Sequence, residues 1–180
     1  MTKLSPQDDE LLTKMAELVF AEVHRDAPIT HLPPPRQVFV RIYTAQGIID
    51  NGSLPYFFGS DFPDAADYSV FSDAYREVGA DDVADWLDSA VGLIPSPIPH
   101  LDSEVRKRYI QEHCSDYKGE MCELGDRIIA QSDRVFSLWQ IMLRSIQMIS
   151  QRPNFCSSGR ADDGSVSFVR CWRRAAERLR

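Results

Sequence analysis

Four histidines, four cysteines and an excess of carboxylates are the residues of this chain able to do chemistry, and their spacing limits which chemistry is open to them. His24, His31, His100 and His113 show neither HxxxH nor HExxH spacing, and none lies near a CxxC pair. His113 and Cys114 are adjacent, so on a helix they point in different directions. A zinc site needs three or four such ligands converging, so neither a metal nor a cofactor is expected. Cys114, Cys122, Cys156 and Cys171 lack CxxC spacing and read as reduced thiols, most of them buried as small apolar groups. Cys156-Ser157-Ser158-Gly159-Arg160 is too short for the Cys-x5-Arg loop of a phosphatase. Glycine-rich phosphate loops and a GxSxG elbow are absent, and Asp162-Asp163-Gly164 reads as a turn rather than a calcium loop.

What remains is the carboxylates. Between Thr44 and Glu104 there are twelve acidic residues and one basic residue, Arg76, a formal charge of −11 within a chain whose total is −7. At about 100° per residue, Asp81, Asp85 and Asp88 fall within one narrow arc of a helix, with Asp82 at its edge. Val83, Trp86, Leu87 and Ala90 fall on the opposite side, so the aspartates are expected to face water. Asp73 and Glu77 make a second like-charged pair one turn apart. A general acid needs a carboxyl whose pKa is raised by burial or a close like charge, which a solvated row does not provide. Two readings of the row compete. A solvated face keeps a protein soluble; a recognition face binds a cationic partner, which would relieve the repulsion. The expected partner-binding residues are Asp73, Glu77, Asp81, Asp82, Asp85 and Asp88, and the expected partner is a basic protein such as a DNA-binding protein. Net negative charge disfavours direct contact with nucleic acid or an anionic membrane.

These residues must be held by helices. Ser5-Pro6 followed by Asp8, Asp9 and Glu10 opens one that runs to about Arg25. Pro28 and Pro33-Pro34-Pro35 break it. A second helix carries Val38, Phe39, Ile42, Tyr43, Ala45 and Ile49 and is expected to end at Asn51-Gly52, residue types that tolerate a left-handed C-terminal position. Leu54 to Phe58 is an aromatic patch too short to assign. Further helices are expected at about 68–78, with Asp67 as a possible cap and Gly79 as the stop, and from Asp81 or Asp82 to about Ala90. A rigid linker spans Ile94–Pro99, and helices follow at 103–117, 119–131 and 133–151. Asn154–Gly164 reads as a polar loop, and Val166–Arg180 as a basic amphipathic stretch with only a weak strand signal at Val166–Val169. The expectation is an all-α single domain of seven to nine helices over residues 1–180. It divides into an N-terminal helix and proline-rich linker (1–35), a core (36–152), and a polar loop with a basic C-terminal segment (153–180). The N-terminus lacks the apolar run of a secretory signal and no window is apolar enough to span a bilayer, so a cytoplasmic location is expected.

The segment Ile48-Ile-Asp-Asn-Gly-Ser-Leu-Pro-Tyr-Phe-Phe58, with Ala74-Tyr-Arg-Glu-Val-Gly-Ala80 after it, resembles a bacterial family of DNA-mimic proteins. That family has a helix ending in Asn-Gly-Gly-Phe, an aromatic Tyr-Phe step and a helix ending in Ile-Gly-Ala. Asn51 and Gly52 match its Asn-Gly, Tyr56 and Phe57 match its aromatic step, and Gly79 matches the glycine that closes the later helix. Ser53 and Leu54 stand where the family has Gly-Phe, and Pro55 where a polar residue is common. The resemblance implies an acidic helical dimer whose surface occupies the DNA-binding face of a transcription factor, with the motif itself structural. Two alternatives stay open: an immunity-type inhibitor of a basic toxin nuclease, and a hydrolase whose site is assembled from scattered residues.

Overall fold

The computed structural model describes Lys14, residues 29–62 and residues 65–150, with side chains through Met142. Apart from Lys14, the N-terminal helix expected to about Arg25 lies outside the described residues, as does everything expected beyond Ser150. A short 3-10 turn, Ile29–His31, leads into α1 (Pro34–Gly59), followed by α2 (Ser69–Glu77), α3 (Asp81–Gly92) and α4 (Ser103–His113). A second 3-10 turn, Ser115–Tyr117, precedes α5 (Glu120–Ile129) and α6 (Ser132–Ser150). The described residues therefore hold six α-helices and no strand, an all-α fold with fewer helices than the seven to nine expected.

α1 is the hub, with α2, α4, α5 and α6 all packed against it. Its sequence explains why. Prolines occupy its first positions, where their missing N–H is no loss. Val38, Phe39, Val40, Ile42, Ala45, Ile49, Leu54, Phe57 and Phe58 are buried around most of its circumference, the pattern of a helix surrounded by others.

The helix does not stop at Asn51-Gly52. Both residues stay helical, and the break falls one residue later, at Ser53, whose φ of 60° and ψ of −172° interrupt α1. This is a region that glycine adopts readily and other residues only under strain. The helix restarts at once, with Pro55 tolerated because the break leaves that turn without an upstream carbonyl to bond. Gly52 serves a contact rather than a left-handed turn: a Cβ there would come within 2.5 Å of Tyr56 Cβ. Asn51 Nδ2 donates to Gly47 O at 2.6 Å, one turn back.

The unassigned aromatic patch is the second limb of α1. Phe57 lies at the centre of a ring cluster, 5.3 Å from Phe58, 5.1 Å from Phe62, 5.7 Å from Tyr68 and 5.3 Å from Phe71. At the other end of α1, Phe39 packs on Trp139 of α6 at 4.5 Å. Opposite the break, Gly125 of α5 lets the two helices approach, since a Cβ on it would overlap Ser53 Oγ and reach 3.1 Å from Leu54 N.

Two buried polar clusters cross-link these layers. Arg106 of α4 is 1% exposed. Its guanidinium donates to Phe58 O (2.8 Å), Pro99 O (2.7 Å) and His100 O (3.0 Å) and pairs with Asp61. It thereby ties the end of α1 to the end of the rigid Ile94–Pro99 linker. Within the core, Tyr75 Oη donates to Gln46 Oε1 at 3.0 Å, and Gln46 Nε2 donates to Asp50 Oδ1 (2.7 Å) and Ser132 Oγ (3.0 Å). That chain joins α2, α1 and the start of α6. Cys114 is half-buried and Cys122 buried, both as free thiols.

Candidate functional site: the carboxylates of the α2–α3 pair

The six expected carboxylates all lie on α2 and α3, and a single tight turn brings these helices together. α2 ends with Gly79 at φ 84°; Gly79 N–H donates to Arg76 O at 3.0 Å and Ala80 N–H to Tyr75 O at 2.9 Å. These two bonds form the reversed pair that closes a helix on a left-handed residue. Val78, Ala80 and Val83 are fully buried at this corner, so the chain turns directly into α3. Asp81 and Asp82 then occupy the first turn of α3, where carboxylates complement the exposed N–H groups. Asp67 Oδ1 accepts from Ser69 N–H at 2.8 Å just before α2, although Tyr68 occupies the cap position itself.

On α3, Val83, Leu87 and Ala90 are buried as expected and Trp86 is half-buried. Ala84, on the flank of the acidic arc, is buried too. The buried arc is therefore wider on that flank, where α2 packs, and Asp88 lies at the edge of the contact instead of fully in water. Its side chain is 43% exposed against 71% for Asp85.

The aspartates are also not a bare row. Arg76 Nη2 reaches from α2 to Asp85 Oδ1 (3.0 Å) and Asp88 Oδ2 (2.5 Å), and its Nη1 lies 3.7 Å from Asp73 Oδ1. Ser72 Oγ, fully buried, donates to the other oxygen of Asp88. Arg134 of α6 pairs with Asp82, which also accepts from Val83 N–H at 3.0 Å. Burial pushes the Asp82 carboxyl up, but the hydrogen bonds from Arg134 and Val83 and the charge of Arg134 outweigh it, leaving Asp82 below the ordinary value. Hydrogen bonds from Ser69 depress Asp67 in the same sense. The charges of Glu77 and Asp73 act on Arg41 of α1, which is nevertheless lowered because burial is the larger influence. Asp81 is exposed.

The carboxylates are legible in the sequence, whereas their pairing with arginines across helices is not. Arg76 was legible as the one cation of the acidic segment and sits three residues from Asp73. Arg134 is 52 positions from Asp82, and nothing in the sequence pairs them.

Phe57 is buried in the ring cluster, Gly52 seats Tyr56, and Gly79 closes α2, while Tyr56 is 59% exposed. Among the described residues no group of three or more His, Cys, Asp or Glu side chains is placed to hold a metal ion, and no helix is long and apolar enough to cross a membrane.

A family model for DMP19-like proteins matches residues 30–144, from the first 3-10 turn into α6. The chain belongs to the DMP19-like family. This is the DNA-mimic family that the Ile48–Phe58 and Ala74–Ala80 segments resemble. The DMP19-like region covers all of α1 to α5, including every candidate carboxylate and the motif residues. Neither a curated protein nor a solved structure matches the chain.

Proposed function

We propose that this chain is a protein-binding module that acts as a DNA mimic, with the α2–α3 carboxylates occupying the basic DNA-binding face of a regulator or other DNA-binding protein. The observation that carries the reading is the placement of Asp73, Glu77, Asp81, Asp82, Asp85 and Asp88 on one closely packed helix pair within a DNA-mimic family. Carboxylates stand in for phosphates, and long-range attraction would steer a cationic partner onto the face. Duplex DNA carries one charge per about 1.7 Å of its axis, denser than one helix pair supplies. A homodimer would extend the row, so self-association is part of the reading.

Capture from lysate at low salt, with elution by a salt gradient and identification by mass spectrometry, tests it. DNA-binding proteins are expected to be retained and to elute as salt rises. Asp81→Lys with Asp85→Lys is expected to abolish that capture with unchanged helicity. Asp88 is left in place in this variant because Ser72 and Arg76 both hold it. Undiminished capture by the double variant would overturn the assigned face.

A further inference from the structure

Resting on that reading, we infer that Arg76 is an internal occupant of the acidic face, and that an arginine- or lysine-rich protein segment binds there by displacing its guanidinium from Asp85 and Asp88. Arg76 is the one basic residue between Thr44 and Glu104. It lies in the last turn of α2, where a cation complements the helix dipole. That role alone would leave the guanidinium over the carbonyls of its own helix. Instead it reaches across to α3 and touches carboxylates nine and twelve residues away.

The geometry makes Arg76 a competitor. Asp88 has one oxygen on Ser72 Oγ and the other on Arg76, and Asp85 has one oxygen on Arg76. An incoming cation therefore meets a guanidinium of its own sign at contact distance. The Arg76 side chain is about one-third exposed and Asp85 largely so, and exposed ion pairs of this kind separate at little cost. The α2–α3 corner is held without it, by the Gly79 and Ala80 backbone bonds and the buried Val78, Ala80 and Val83. Arg134 stands over Asp82 in the same way, reaching in from α6.

A fluorescein-labelled nona-arginine peptide, followed by anisotropy at about 0.1 M salt, serves as the probe. At this ionic strength charges more than about 10 Å apart are largely screened, so a cation inside the face counts and one outside it does not. Arg76→Gln is expected to tighten binding about threefold or more. Arg108→Gln, which removes an exposed cation from α4, is expected to change it by less than about 1.5-fold. Should Arg76→Gln fail to fold, as circular dichroism would reveal, Arg134→Gln carries the same expectation at Asp82.

If Arg76→Gln and Arg134→Gln bind no more tightly than Arg108→Gln, while Asp81→Lys with Asp85→Lys abolishes binding, the inference falls and the acidic face stands. Weaker binding by Arg76→Gln would make Arg76 a residue that positions the carboxylates, and would also overturn it. Binding unaffected by the double charge reversal would remove the face and the inference together.

Discussion

Ser53 holds a backbone conformation suited to glycine, and its buried Oγ finds no hydrogen-bond partner among the described residues. Both features are costly, the first by roughly 1–3 kcal/mol. Ser53→Gly is therefore expected to stabilise the protein by about 1 kcal/mol, after the extra backbone entropy of glycine is subtracted. Thermal melting checks this, and an unchanged or lower midpoint would mean that the break is not strained. Arg106 presents the opposite case, a buried cation whose every contact is internal. Arg106→Met would leave Phe58 O, Pro99 O, His100 O and Asp61 without their donor. A loss of about 3 kcal/mol or more is expected from denaturant midpoints. Arg106→Lys should recover little of it, because an ammonium cannot reproduce the guanidinium fork.

At the scale of elements, the spacing of α1 and α5 depends on Gly125 facing the break at Ser53. Gly125→Ala would favour an isolated helix, yet its methyl would overlap Ser53 Oγ and press on Leu54 N. The packing conflict should win, with a net loss of about 1–3 kcal/mol. Combining Gly125→Ala with Ser53→Gly removes the overlapping hydroxyl, so the double variant should lose less than the sum of the separate effects predicts. Strict additivity would show that the two helices do not meet in this way. The carboxylate-bearing pair depends on another glycine: Gly79 takes positive φ, and the corner it makes puts Ser72 and Arg76 within reach of Asp85 and Asp88.

For the whole molecule, titration from both ends of the pH scale reports on the packing. Tyr75 is fully buried, and burial, with the charge of Asp50, pushes its hydroxyl far above the ordinary value of 10.0. Burial also pushes Tyr68 up, to about 12, against the opposing influence of Arg106. The native protein then holds these protons more tightly than the unfolded chain. Their contribution to stability is complete below pH 10 and falls as the pH rises above it, that of Tyr68 being lost as the pH passes about 12. Tyr68→Phe should accordingly make stability between about pH 10 and 12 less dependent on pH; an unaltered slope would place Tyr68 outside the core. At the acid end, Asp67 and Asp82 titrate below their ordinary value of 3.8, so their contribution is present above it and fades as the pH falls through the lower, folded values.

Helical class, the apolar stripes of α1 and α3, the stop at Gly79 and the concentration of acid between Thr44 and Glu104 are written in the order of residues along the chain. These are legible because helical periodicity, turn chemistry and charge are local properties, carried by residues a few positions apart. The fold, not the local pattern, carries α1 through Asn51-Gly52 to a break at Ser53, the point where Gly125 lets α5 approach. It also decided that the row of aspartates is threaded by Arg76 and Arg134 and edged by Ser72. Those partners lie between nine and 52 positions away, and side chains so separated meet only when packed helices bring them together.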